Sequence, residues 1–352
     1  MRLGLSLGYT LGGDTGSVRD VVDLVTHAER LGYAVAWAAE AYGSDAPTVL
    51  GYLAARTERI DLGAAVMQMP ARSPAMTAMT AASLDLLSGG RFRLGLGVSG
   101  PQVSEGWHGV AFARPLARTR EYLDVVRQAL AHQKVQLDGE FFTLPLPGGE
   151  GKALRLALHT ARDHIPTYLA AVGPKNVELA GELADGWLAI FFSPDHAADS
   201  MAQVRAGQAR AARTGRGFDV SATVPVSIGP DVAACADPIR AYAALYVGGM
   251  GSREHNFYHQ LAVRMGFAEA AHRIQELFLS GQHRAAMSAV PLEFIDHTSL
   301  LGPPERIVDR LHAFAAAGVT TLTVTPTGTD HALRLRTLEQ VAAALDASGL
   351  AD

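Results

Sequence analysis

The chain has 352 residues, of which 48% are hydrophobic and 18% charged, enough to bury a large core in one extended barrel or in two domains. A formal net charge of −5 and the lack of any long Lys/Arg run argue against nucleic acid or anionic membrane as the main partner. No stretch reaches the roughly 18 consecutive apolar residues of a membrane span, the first residues lack a signal-peptide core, and the expected setting is the cytoplasm. Cys235 is the only cysteine, so intramolecular disulfides and cysteine-based zinc sites are excluded and the thiol reads as a small packed side chain.

Short apolar runs alternate with stretches of helical periodicity from the N-terminus onward, the signature of parallel strands joined by crossover helices. Residues 3–8 make the first predicted strand, and Ser17 with Asp20 forms a capping pattern ahead of a helix that Gly32 stops. Strands follow at 34–38, 60–67 and 91–97, with helices over 45–56 and 73–87 between them. After a helix around Tyr122 to Leu130, two alternating runs about Asp138-Gly139 predict a hairpin, part of an insertion near 135–165. Strands resume at 167–172, 187–192 and 220–228, with helices at 174–183 and about 195–213. A mostly helical insertion near 230–302 delays the last unit, a helix begun by Pro303-Pro304, a strand at 320–325 and a closing helix over 332–347. Eight strands in this alternation predict an α/β protein, a (β/α)8 TIM barrel with insertions, over a doubly wound sheet, whose ordinary size has too few positions.

Functional residues of such a barrel lie on the loops after its strands, so loops distant in sequence meet at one mouth. Leu94 to Val103 reads as a buried strand opening into a loop poor in side chains, where backbone N–H groups approach a ligand closely. The loop after the second strand, Trp37-Ala38-Ala39-Glu40-Ala41-Tyr42, brings one carboxylate among apolar neighbours. Glu40 there serves either proton exchange and a contact to a cofactor ring, or a plain cap or salt bridge. The third strand ends in small residues before Val66 and the amide of Gln68, and Ala170 to Asn176 turns into a helix whose N–H groups and Lys175 suit a phosphate. In the second insertion the run Tyr246 to His259 is rich in aromatic and amide groups. His255 and His259 have the i, i+4 spacing of helical metal ligands, but no third ligand is evident and no metal is expected.

Residues 37–43, Gly63 to Thr80, Ser88 to Gly109, Ala170 to Lys175 and Glu182 to Trp187 together resemble the bacterial-luciferase-like superfamily, specifically its branch of oxidoreductases using the deazaflavin coenzyme F420. The resemblance spans essentially the whole chain. It implies a commonly dimeric TIM barrel with the deazaflavin at its C-terminal mouth, and a non-prolyl cis peptide that by position falls at Ala65–Val66 behind the ring. By the same transfer Gln68, Val98, Ser99, Gly100, Gln102 and Ser104 lie along the ring and ribityl chain, and Ala171, Val172, Gly173, Pro174 and Lys175 near the phosphate. Several F420 dehydrogenases of the family carry Asp-His where this chain has Glu40-Ala41. Glu40 can keep the ring contact, while Ala41 cannot move a proton, so the expectation is a reductase with Glu40, Glu105 or water as proton source. Tyr42, Trp107, Arg253, Asn256, Phe257 and His259 are the expected substrate contacts, with a packing role open for Phe257 and an acidic cofactor tail as the alternative partner of Arg253. An FMN-dependent two-component monooxygenase and a non-catalytic flavin-binding relative are the rival readings.

Overall fold

The computed structural model describes residues 1–9, 16–212 and 217–351. Eight parallel strands close a barrel: β1 (Arg2–Ser6), β2 (Val35–Ala38), β3 (Asp61–Ala64), β5 (Phe92–Gly97), β8 (Thr167–Ala170), β9 (Gly186–Ile190), β10 (Asp219–Ile228) and β12 (Thr321–Pro326). β12 returns to β1 with Arg2 opposite Thr321, so the sheet has no free edge in its ring. The period-two strands and period-3.6 helices predicted from the sequence are this barrel. α1 (Val18–Arg30) begins with a capping box in which Ser17 and Asp20 exchange hydrogen bonds, and α2 (Ala46–Ala54) and α3 (Pro74–Leu87) start on Asp45 and Ser73 caps.

Three features depart from the expected elements. The third strand breaks after Ala64, passes through a cis peptide at Ala65–Val66, and continues as β4 (Met67–Gln68), which pairs with β5. The hairpin strands β6 (Leu137–Asp138) and β7 (Thr143–Leu144) are joined by four residues instead of a two-residue Asp-Gly turn. The Glu121 carboxylate accepts from the N–H groups of Glu140, Phe141 and Phe142 at 2.8–3.0 Å and holds that wider loop. A short strand, β11 (Leu300–Gly302), pairs with the end of β10, where the sequence reads as helical insertion. The predicted helix end near 213 lies outside the described residues; α7 is described over Ala197–Arg210.

The rest of the chain after β5 supplies α4 (Pro101–Gly106) and α5 (Pro115–Leu130); α6 (Pro174–Leu183) follows β8, and α7 follows β9. Between β10 and β11 lie α8 (Val232–Ala244), a π-turn (Leu245–Gly249), α9 (Phe257–Arg264), α10 (Ala268–Leu279), α11 (His283–Ser288) and α12 (Leu292–His297); α13 (Pro304–Ala316) and α14 (His331–Ser348) complete the barrel. This insertion has its own apolar cluster around Ile239, Val247, Ile274 and Phe294, while the main core fills the layer between strands and helices.

Inside the barrel, Trp37 and Tyr168 meet edge-on at 5.2 Å. A side chain at Gly63 would begin 2.1 Å from the Trp37 ring, so that glycine is a packing requirement. Toward the strands' N-terminal ends Arg93 binds Asp61, Asp219 and the Tyr168 hydroxyl at 2.7–3.2 Å. Burial works against the charge of Arg93, and its tyrosine and carboxylate neighbours outweigh it and raise the guanidinium pKa. The barrel is therefore filled in the middle and tied by ion pairs toward its N-terminal end, and the C-terminal mouth remains for a ligand. No helix among the described residues is long and apolar enough to cross a membrane.

Candidate functional site

The mouth is built on the interruption of the third strand. Ala65 N–H donates to the Ala38 carbonyl at 2.8 Å and Glu40 N–H to that of Val66 at 3.2 Å, which fixes the bulge to the end of β2. Val66 leans over β5, where a side chain on Gly97 would start 2.7 Å from its methyl. Ala65, Val66 and Ala170, all half-buried, pack on the Trp37–Tyr168 plug and form an apolar floor.

Beside this floor runs a polar chain. Gln68 is 3% exposed and its amide nitrogen donates to Ser99 Oγ at 3.1 Å, while its amide oxygen meets His108 Nε2 at 2.9 Å. Ser99 sits at φ 64°, a left-handed conformation costly for a residue with a side chain, which turns the β5 loop over the floor. Val98, Ser99 and Gly100 are half-buried there, and Gln102 is exposed on α4. Ser104, by contrast, donates its hydroxyl to Val110 at 2.6 Å and is 2% exposed, so it braces the loop from within.

Glu40 occupies the place expected of it but is fully engaged. Its carboxylate takes both arms of Arg72 at 2.7 and 2.8 Å, the N–H of Gln68 at 2.9 Å and that of Ala46 at 3.0 Å. Burial lowers the Arg72 pKa, and its bond to Glu40 more than restores it. Of the two readings left open by the sequence, this geometry is the salt bridge, with no lone pair left over for proton exchange. Glu105 is exposed and accepts from Phe112 N–H at 2.9 Å, so it staples its own loop.

At the predicted phosphate loop, Ala171 is buried and its carbonyl accepts from Trp187 Nε1 at 2.9 Å, Val172 and Gly173 are half-buried, and Pro174 and Lys175 are exposed. Helix α6 starts at Gly173 with no side-chain cap; Pro174 has no N–H and those of Asn176 and Val177 bond the Gly173 carbonyl, so the first turn leaves the Lys175 N–H for an anion. Lys175 lies 3.4 Å from Glu178. Arg264, at the end of α9 in the insertion, donates to the Val172 carbonyl at 3.1 Å and has no acidic partner among the described residues. Burial alone lowers its pKa.

The six expected substrate contacts divide. Tyr42 is exposed at the mouth and packs edge-on against Tyr9 at 5.9 Å, and Phe257 meets Phe112 of the β5 loop at 6.3 Å. Trp107 and Arg253 are exposed. Asn256 and His259 have work inside the insertion instead. Asn256 is 1% exposed, caps α9 through Tyr258 and His259 N–H, and gives its amide to the carbonyls of Tyr246 and Val247, which spends both polar atoms of its side chain. His259 Nε2 pairs with His272 Nδ1 at 3.1 Å. The sequence reading missed Arg72, His108 and Arg264. His108 stood inside the stretch that carried the family resemblance, and Arg72 follows Gln68 by four residues, while Arg264 reaches the phosphate loop only through the folded insertion.

The apolar floor, the adjoining amide–hydroxyl–imidazole chain and an uncapped helix start with a nearby cation fit a flat, hydrogen-bonding ring carrying a phosphate. Comparison with known proteins agrees with this geometry. The family model for luciferase-like monooxygenases matches residues 1–321. A Mycobacterium tuberculosis protein named as a coenzyme F420-dependent oxidoreductase is 44% identical over 332 residues, covering 92% of this chain and 95% of its own. The 5,10-methylenetetrahydromethanopterin reductase of Archaeoglobus fulgidus is 29% identical over 310 residues, covering 86% of this chain and 88% of its own. Among solved structures, the coenzyme F420-dependent tetrahydromethanopterin reductase of Methanopyrus kandleri superposes with a TM-score of 0.80 at 25% identity, covering 97% of each chain. With its barrel, its interrupted third strand and a match along nearly its whole length, the chain belongs to the luciferase-like monooxygenase family.

Proposed function

We propose that the chain is a coenzyme F420-dependent oxidoreductase and works as a reductase on an organic acceptor. The observation that carries this reading is the joint arrangement of the Ala65–Val66 floor, the Gln68–Ser99–His108 chain and the uncapped start of α6. A relative and a solved structure named for F420 dependence, each matched along most of its length, support it. When bound, the deazaflavin supplies the hydride. The chain's own part is positional. Ala65, Val66 and Val98 back the ring, Gln68, Ser99 and Gly100 line its edge, Gln102 lies along the ribityl chain, and the N–H groups of Gly173 and Lys175 with the Lys175 and Arg264 side chains hold the phosphate. Glu40 supports this arrangement through Arg72 and the Gln68 backbone. The reductive direction rests on Ala41, which leaves no proton-accepting side chain directly after Glu40.

The working form is a cytoplasmic homodimer in this reading, with the outer face of α3 as its contact. The test is a paired titration of the purified protein with F420 and with FMN. Selective, saturable F420 binding is the expected result; a preference for FMN with oxygen consumption on reduced FMN replaces the reading with a monooxygenase, and binding of neither ring rejects it.

A further inference from the structure

A second constellation lies where the insertion packs on the end of β9. Phe191, directly after β9, is held at φ 51°, an outlying conformation for a bulky side chain. Its ring is the hub of an aromatic group, 5.2 Å from Tyr242, 5.6 Å from Tyr246 and 6.2 Å from Tyr258. Tyr246 in turn lies 4.6 Å from Tyr242 and 4.8 Å from Tyr258.

The backbone that presents Tyr246 is specialised. It is a π-turn, a geometry that recurs at functional sites, and its carbonyls at Tyr246 and Val247 are satisfied by the Asn256 amide at 3.1 and 3.0 Å. Gly248 and Gly249 receive the Phe278 side chain so closely that a side chain on either would start 2.6 or 2.3 Å from it.

The hydroxyls of this trio are left over. Among the described residues none of Tyr242, Tyr246 and Tyr258 has a protein hydrogen-bond partner, and none of the three oxygens belongs to the fully sealed polar atoms. Burial pushes all three phenols up, Tyr258 to about 12, so they stand protonated as donors at neutral pH. Tyr246 alone of the three also feels Tyr9 and Tyr42, the edge-on pair after β1 and β2. Among the described residues no charged side chain is hydrogen-bonded to any of the trio, so the donors they offer are neutral phenols.

We propose that the organic acceptor lies between the Tyr9–Tyr42 pair and the Tyr242–Tyr246–Tyr258 trio, and that it is a flat, uncharged molecule with a conjugated carbonyl, a quinone or cyclic enone, whose oxygen accepts from Tyr246. Aromatic faces and edges receive a flat conjugated ring, and a half-buried phenol donor without a protein partner selects a ligand with an acceptor over one without. A donor on the carbonyl oxygen draws electron density from the conjugated carbon, which favours hydride addition there. The inference rests on the deazaflavin reading for its reaction, and not for its binding.

Binding is tested by calorimetric titration of the protein, with and without F420, using duroquinone as the probe and its hydrocarbon analogue durene as the control. Duroquinone is expected to bind at least tenfold more tightly than durene, and Tyr246→Phe to erase most of that difference while leaving durene binding unchanged. A methylated benzoate is expected not to bind. Equal affinity for duroquinone and durene, an unaltered Tyr246→Phe, or no duroquinone binding in either state overturns the proposal. A protein that binds duroquinone in this pattern but not F420 keeps the aromatic slot and loses the cofactor reading; one that binds F420 but not duroquinone does the reverse.

Discussion

Arg72 and Glu40 meet through two parallel N–H···O bonds of 2.8 and 2.7 Å, with only 14% and 6% of their side chains exposed. The same carboxylate holds Gln68 N–H at 2.9 Å, so the ion pair sets the backbone from which the Gln68 amide reaches Ser99 and His108. Removing one member of a buried pair strands the other charge, at a cost of about 3–5 kcal/mol. Arg72→Met is therefore expected to lower stability by about that amount in urea unfolding and to weaken F420 binding with it. Glu40→Gln likewise leaves the Arg72 charge unpaired and turns an NH2 toward N–H donors, and is expected to cost a similar amount. Wild-type stability in Arg72→Met would remove the pair from its supporting role.

Gln68 is the point where the third strand and the β5 loop are joined by side chains. Gln68→Ala removes both its bond to Ser99 and its contact with His108, and the F420 dissociation constant is expected to rise about tenfold, or about 1.4 kcal/mol. Ser99→Ala loses one of the two and is expected to show a smaller rise. Fluorescence titration of the cofactor measures both, and an unchanged Gln68→Ala would take the network away from the ring.

Arg264 approaches the Val172 carbonyl with no carboxylate among the described residues to neutralise it. Arg264→Ala is expected to weaken F420 several-fold, more at low salt than at high salt, because an exposed charge contact is screened. A deazaflavin lacking the phosphate is expected to bind the variant and the parent protein equally. If both ligands weaken alike, Arg264 acts through the fold of the insertion and not through the phosphate.

His259 and His272 share one hydrogen bond of 3.1 Å between ring nitrogens, which requires one donor and one acceptor. Burial first, and His272 second, lower the His259 pKa. Folding therefore favours neutral His259, whose stabilising contribution is complete above the unfolded value of about 6.5 and is lost as pH falls through the lower folded value. Thermal melts are expected to drop on acidification from about pH 6.5, and His259→Gln to flatten that slope. An equally steep slope in the variant would assign the acid sensitivity elsewhere.

What the sequence made legible follows from how local each cause is. Alternating apolar periods, the Ser17–Asp20 box and the Asp45 and Ser73 caps act within a few residues, and they delineate the barrel's strands and helices well. The mouth depends on partners far apart in the chain. Glu40 and Arg72 are 32 residues apart and Gln68 and His108 are 40 apart, so no spacing announces them. At Asp138-Gly139 a local turn signal lost to the Glu121 carboxylate, which collects three N–H groups from a wider loop. Asn256 was misread for a different reason: its position before the helical run of 257–264 is a capping signal, but its aromatic company suggested a ligand.

Helix α3 turns an apolar stripe outward. Met76, Met79, Leu86 and Leu87 are 51%, 51%, 43% and 66% exposed, and Tyr52 of the neighbouring α2 is 45% exposed. Positions 76, 79, 83, 86 and 87 share one face at helical spacing, and only Ser83 among them is polar, whereas the outer face of a solvated helix is ordinarily charged. A second copy of the chain related by a two-fold axis would cover this stripe with its own. Met79→Glu sets two carboxylates near that axis and is expected to shift the protein from dimer to monomer in analytical ultracentrifugation. The mouth lies at the strands' C-terminal ends, away from this outer face, so F420 affinity is expected to survive the substitution. A monomeric parent protein, or a Met79→Glu variant that remains dimeric, would move the contact to another face of the barrel.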